Sequence, residues 1–147
     1  MPSSVSCTQS EYLSVLSQAP ADAVKALAEE ILPALEPISV LTNRTGLVML
    51  PYTDNAKGTI FHLGEVLVAE AHIRLGTDEG GIEGYGMCLG RDLVQAMGIA
   101  VLDAAVTANL GVDRIMAFVE EQGALLAAAD DQLLRSVEST RVEMQTF

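Results

Sequence analysis

From Leu93 to Leu110 the only polar side chains are Gln95, Asp103, Thr107 and Asn109. A helix that is apolar almost all round is buried on most sides, so the rest of the chain must wrap this one. The run is about long enough to cross a bilayer, which takes roughly 20 residues. The amide and carboxyl groups inside it favour a helix buried in a folded domain instead. Residues 84–92, GYGMCLGRD, lead into it. Their three glycines, one arginine and one aspartate suit a strand-to-helix turn.

The remaining chain supplies layers that can do the wrapping. Thr8 with Glu11 has capping-box spacing and opens a helix through QSEYLSVLSQ. Pro20 starts a second helix, in which Val24, Leu27, Ile31 and Leu32 recur at helical spacing; Pro33 and Pro37 end it. The middle third changes period. ISVLTNRTGLVMLPY reads as two strands joined through Asn43, Arg44, Thr45 and Gly46. TIFHLGEVLVAEAHIRL reads as a further strand with a break or bulge at Gly64. Along it Leu67, Ala69, Ala71, Ile73 and Leu75 share one face, and Val66, Val68, Glu70, His72 and Arg74 the other. GTDEGG is a turn, and IEGYGMCL returns as a hairpin partner.

After the apolar helix, Gly111 is a stop and Asp113 a cap for a helix carrying Ile115, Met116 and Val119. Gly123 reads as an interruption. A last helix turns Leu126, Leu133, Leu134 and Val137 inward, and TRVEMQTF ends as a short strand with Val142, Met144 and Thr146 on one face. The order predicts a single α+β domain over residues 1–147. Its antiparallel sheet has about four to five strands, flanked by N-terminal and C-terminal helices.

Composition narrows the function classes. The formal charge is −12 and the eight Lys and Arg are scattered singly. Clustered cations, which nucleic-acid backbones and anionic membranes require, are missing. Cys7 and Cys88 stand far apart with no C-x-x-C spacing, so neither zinc nor a disulfide framework is expected. The N-terminal MPSSVSCTQSEYL lacks the basic-then-apolar order of a secretory signal, so a cytoplasmic protein is expected. Half the residues are hydrophobic although tryptophan is absent. That excess suggests apolar surface covered by another subunit.

Few residues are placed for chemistry. Gly90 and Arg91 at the helix entrance could hold an anion through backbone N–H groups and a guanidinium fork. Asp92 competes with that role, because an acid in a first turn caps a helix and repels anions. The glycine spacing is neither a Walker loop nor a dinucleotide fingerprint. Glu70 and His72 share a strand face, but no third metal ligand accompanies them. Gln95 and Asp103 lie about 80° apart around their helix. A buried carboxyl there needs a partner, either within the chain or on another subunit. Thr140 and Arg141 open the expected terminal strand, where Arg141 pairs with an acid such as Glu70 or presents itself to an anionic ligand.

TGLV (45–48), HLGEVLV (62–68), GYGMCLGRD (84–92), the Asp103–Ala104 pair and STRVEM (139–144) occur in this order and spacing. The set resembles the PhnG family, the small G subunits of the bacterial carbon–phosphorus lyase core complex, over about Thr8 to Phe147. The resemblance implies a hetero-oligomer with H, I and J subunits and ATPase-like subunits. It implies a part in making alpha-D-ribose 1-methylphosphonate 5-triphosphate from ATP and methylphosphonate during organic phosphonate catabolism. It implies no catalytic residue in this subunit, no activity of the chain alone, and no cofactor or metal of its own; ATP and an iron–sulfur cluster belong to the wider complex. Gln95 stands where members commonly carry His, and Ala69–Glu70 where they often carry Thr-Arg, which fits a scaffold. The resemblance leaves two roles open: an accessory subunit with Gln95, Asp103 and Thr140 toward partners, or one that holds the phosphonate or nucleotide through Arg91 or Arg141.

Overall fold

The computed structural model describes residues 7–35, 37–77 and 80–142. Two helices come first, α1 (Gln9–Gln18) and α2 (Ala21–Ile31), followed by a 3₁₀ turn over Leu32–Ala34. Three strands follow, β1 (Ile38–Thr53), β2 (Ile60–Leu75) and β3 (Ile82–Leu89). The chain then runs into α3 (Leu93–Thr107) and α4 (Val112–Ser139). This is the expected α+β class. Thr8 and Glu11 form the expected reciprocal capping box at α1.

The sheet is antiparallel in the order β1–β2–β3. Among the described residues it has three strands, against the four to five expected, and the missing strands have separate causes. Asn43 to Gly46 do not turn: they pair in register with Ala71 to Val68, so 38–53 is one strand. Cross-strand pairing, including Arg44 opposite Glu70, overrides the local turn propensity of Asn-Arg-Thr-Gly. At the other end, Thr140 caps α4, and Glu143 to Phe147, with the expected Met144 and Thr146 face, lie outside the described residues.

β1 and β2 pair along nearly their whole length, whereas β3 pairs only with Val68–Leu75. Leu47–Thr53 and Ile60–Leu67 therefore project past β3 as a two-stranded ribbon. Its register slips between Leu50–Gly64 and Pro51–His62, leaving Leu63 as the extra residue beside Gly64, close to the expected irregularity. At the ribbon's tip Asp54 accepts backbone N–H bonds from Ala56 and Lys57.

While Leu67 and Leu75 at its ends are half-buried, and Val68 of the other row is buried as well, the middle of the first row of β2 is buried as expected, with Ala69, Ala71 and Ile73 inaccessible to solvent. Against this face lies α3, and α2 packs on α3 from the other side through Val24 and Ala28, which meet Gly98. The apolar helix is thus covered by its own chain, with Ile99, Ala100, Leu102, Ala104 and Ala105 inaccessible to solvent or nearly so. No helix among the described residues is long and apolar enough to cross a membrane.

α4 corrects the sequence reading in two ways. It is one helix of 28 residues, and Gly123 lies inside it without a break. Its start is Gly111 in a left-handed conformation, with Asp113 in the first turn rather than at the cap. Ile115, Phe118 and Val119 enter the core beside α1. Leu133, Leu134 and Val137, expected inside, are exposed, because α4 outruns the elements that cover its first half.

Candidate functional site

The junction GYGMCLGRD has a packing explanation for its first two glycines. A β-carbon on Gly84 would collide with the Ala100 carbonyl oxygen and come within 2.6 Å of the Ala104 β-carbon. One on Gly86 would strike the Ala96 carbonyl oxygen and approach Ala100 N to 2.6 Å. Ala96, Ala100 and Ala104 recur every four residues, so they form one ridge of α3. That ridge rests directly on the bare backbone of β3. The third glycine, Gly90, turns the chain with φ +97° and donates its N–H to the Leu67 carbonyl at 2.9 Å.

The entrance of α3 is occupied by the chain's own acid. Asp92 Oδ1 accepts the Gln95 N–H at 2.9 Å, and Asp92 Oδ2 meets Lys25 Nζ at 2.7 Å. The Lys25 bond, then the Gln95 N–H, hold the Asp92 carboxyl below the usual carboxylate range. The same contact raises the Lys25 ammonium above its ordinary value. A carboxylate already fills the position an anion would take at this helix end. Arg91 is exposed and makes no ion pair among the described residues. Cys88 is buried, and desolvation, then the charge of Asp92, push its thiol up, which disfavours the reactive thiolate.

Asp103 is 1% exposed and its oxygens are engaged inside the chain. Oδ1 accepts from Tyr12 Oη at 2.6 Å and from Gln9 Nε2 at 3.0 Å. Oδ2 accepts the Tyr85 backbone N–H at 2.9 Å. Of the two partners weighed from sequence, the geometry supplies the internal one. The last bond also seals part of an edge strand, since β3 ends the sheet and this N–H points away from β2. Burial, then the Asp103 bond, raise the Tyr12 phenol well above its ordinary value. Gln95 is likewise buried, with Nε2 3.5 Å from the Ala19 carbonyl.

The other sequence candidates lie elsewhere. Thr140 Oγ1 donates to the Val137 carbonyl at 2.7 Å, closing α4. Arg141 meets Glu138 at 3.1 Å in an exposed pair, not Glu70. Glu70 takes Arg44 and the Tyr85 hydroxyl, while His72 and Arg74 share Glu83. These side chains lie on the solvent face of the sheet. No cluster of three metal-ligating side chains occurs among the described residues. A groove of about 350 Å³ between α1 and β3 is lined by Ser10, Leu13, Ser14, Val68, Met87 and Leu89 among others, with no charged side chain.

The feature that the sequence could not locate is the uncovered apolar surface. It lies on two projections. The ribbon exposes Leu47, Val48, Met49, Leu50 and Tyr52 from β1, with Ile60, Phe61 and Leu63 from β2. The far half of α4 exposes Leu125, Leu133, Leu134 and Val137. Period alone could not separate these from core strands and a core helix; their exposure follows from strand and helix lengths exceeding those of their neighbours.

The family described as "Phosphonate metabolism protein PhnG" matches residues 8–147. The chain belongs to the PhnG family. A relative from Rhizobium meliloti (strain 1021), named alpha-D-ribose 1-methylphosphonate 5-triphosphate synthase subunit PhnG, is 34% identical over 103 residues. That match takes in 70% of this chain and 64% of the relative, so it spans somewhat less than two thirds of the relative's length. Within this PhnG-family chain, Gln95 and Ala69 face the interior and Glu70 the paired outer face.

Proposed function

We propose that this chain is an accessory, non-catalytic subunit of a carbon–phosphorus lyase core complex. It supports synthesis of alpha-D-ribose 1-methylphosphonate 5-triphosphate from ATP and methylphosphonate in organic phosphonate catabolism, in the cytoplasm. Its companions are the H, I and J subunits and the ATPase-like subunits. It needs no cofactor of its own; ATP and the iron–sulfur cluster sit with the wider complex.

The observation that carries this reading is the uncovered apolar surface on the ribbon and the far half of α4. Fully burying one large apolar side chain is worth about 1.5–3 kcal/mol. Twelve such side chains, each exposed over a third or more of its surface, represent on the order of 10 kcal/mol of gross burial still available to a partner. Only part of that becomes affinity. The family membership and the relative's name as a synthase subunit support this reading.

The test is co-expression of the tagged chain with H, I and J subunits. The expected result is a stoichiometric complex whose synthase activity is lost when this chain is omitted and restored when it is added back. A fully active synthase assembled without it would overturn the reading.

A second reading rests on Arg91, whose guanidinium has no acidic partner among the described residues and is free to hold an anionic group of the nucleotide or phosphonate. Arg91→Ala in the assembled complex distinguishes the two. Intact assembly with a raised KM for ATP or phosphonate supports binding, and unchanged kinetics remove Arg91 from the site. Arg141→Ala tests the same role at the other candidate, whose pair with Glu138 is exposed and weak.

A further inference from the structure

The ribbon is exposed on both of its faces. In its register Leu47 stands opposite Leu67 and Met49 opposite Glu65, continuing the row that enters the core. Val48 stands opposite Val66 and Leu50 opposite Gly64, continuing the outer row. Leu47 and Met49 are 62% and 51% exposed, and Val48 and Leu50 are 37% and 46% exposed. An ordinary sheet face that docks on a flat surface needs only one apolar row. Here β1 presents exposed apolar side chains to both faces over Leu47–Leu50, and Glu65 is the one charged side chain among these pairs.

We infer that the ribbon is an arm that enters an apolar cleft of a different subunit, which covers it from both sides. The inference rests on the assembly reading above and specifies how one partner is engaged. The area is adequate: eight large side chains about half exposed, with Tyr52 and Phe61 at about 150–250 Å² each when whole and the aliphatic ones toward the lower end, present on the order of 700 Å², close to one partner's share of a standard interface. From Gly46 to Leu67 the only ionisable side chains besides Tyr52 are Asp54, Lys57, His62 and Glu65. Asp54 and Lys57 lie at the tip, so the cleft has apolar walls along the ribbon and is polar or open to solvent where the tip arrives. A second copy of this chain is the poorer occupant, because each copy carries a net charge of −12 and like-charged surfaces repel. The same charge opposes an anionic lipid surface.

The experiment uses the tagged chain co-expressed with the H, I and J subunits. One variant carries Leu47→Glu with Met49→Glu, and the other Val48→Glu with Leu50→Glu. Each is also purified alone, where circular dichroism and thermal melting verify folding, since the ribbon lies outside the core. A cleft predicts that both variants lose at least tenfold in recovered partner while their melting temperatures stay near wild type. Loss in only one variant means flat docking and overturns the inference. Normal assembly by both variants also overturns it and leaves the assembly reading standing. Should wild type itself recover no partner, the assembly reading falls, and the inference with it. A wild-type dimer in isolation that both variants dissolve would make a second copy the occupant, and would also overturn it.

Discussion

The Tyr12 hydroxyl donates to Asp103 Oδ1 at 2.6 Å, tying α1 to a helix 91 residues away in the chain. The other carboxyl oxygen takes the Tyr85 backbone N–H, so one buried side chain joins α1, α3 and the edge of the sheet. A buried donor that loses its acceptor costs about 1–3 kcal/mol. Tyr12→Phe should therefore destabilise the chain by about 1–2 kcal/mol. Asp103→Asn should cost more, about 2–3 kcal/mol, because an amide cannot accept on both sides as the carboxyl group does. Denaturant unfolding of both single variants and the double variant checks this. The double variant should cost less than the sum, because the two residues share one bond.

The glycines of GYGMCLGRD should separate by role. Gly84→Ala and Gly86→Ala place a methyl group against the α3 backbone, which cannot move aside as a flexible side chain could. Each should cost about 3 kcal/mol or more, at or above the upper end for overpacking. Gly90→Ala has open space around it and meets only the penalty of a positive φ, about 1–2 kcal/mol. Thermal melts of the three variants give the ranking. A mild Gly84→Ala would show that α3 does not rest on β3 as closely as described.

Much of this was legible in the sequence, for reasons that differ by residue. The all-round apolar run from Leu93 announced a buried helix because burial of a whole helix leaves no polar face. The alternation of Ala69, Ala71 and Ile73 announced the inner face of β2 because the strand period is fixed. The partners of Asp103 were not legible, since Gln9 and Tyr12 lie about ninety residues away and nothing local links them. The location of the uncovered surface was not legible either. A strand such as β1 reads the same whether or not a helix covers its far end, and Leu133 has the same helical spacing as the buried Ile115. Ordering by length, not by pattern, decides exposure in both places.

The Lys25–Asp92 pair makes a statement about pH. The Asp92 carboxyl titrates below its ordinary range in the folded chain, chiefly through Lys25. Its contribution is present above the ordinary carboxyl value of about 4 and is lost as pH falls through the lower folded value. Glu70, Glu83 and Glu11 are shifted the same way, by Arg44, by Arg74 and by the Thr8 N–H respectively, so unfolding in acid takes up protons. Lys25 is raised, so its contribution is full below the ordinary lysine value of about 10.4 and is lost as pH rises through the folded one. Asp92→Asn keeps a good cap and removes the charge. Its melting temperature should fall below wild type at pH 7, and the gap should close toward pH 2. A gap of constant size across that range would mean the ion pair contributes nothing through its charge.

The two halves of α4 should respond oppositely to the same kind of substitution. Ile115 and Phe118 fill the core beside α1, so Ile115→Ala and Phe118→Ala should each cost about 2–5 kcal/mol. Leu133 and Leu134 touch little of their own chain, and Leu133→Ser or Leu134→Ser should stay within about 0.5 kcal/mol of wild type. The order reverses when the readout is assembly. Ile115 recurs at the same angular position as Leu133, eighteen residues or five turns on, so one apolar face runs from the covered half into the uncovered one. Polar substitution there should leave the isolated chain folded and less prone to self-association, while recovery of partner subunits falls. Light scattering on the isolated variants and co-purification from the co-expressed complex measure the two effects separately. A Leu133→Ser chain that melts several degrees below wild type would place that residue in the chain's own core, against the exposure described for the far half of α4.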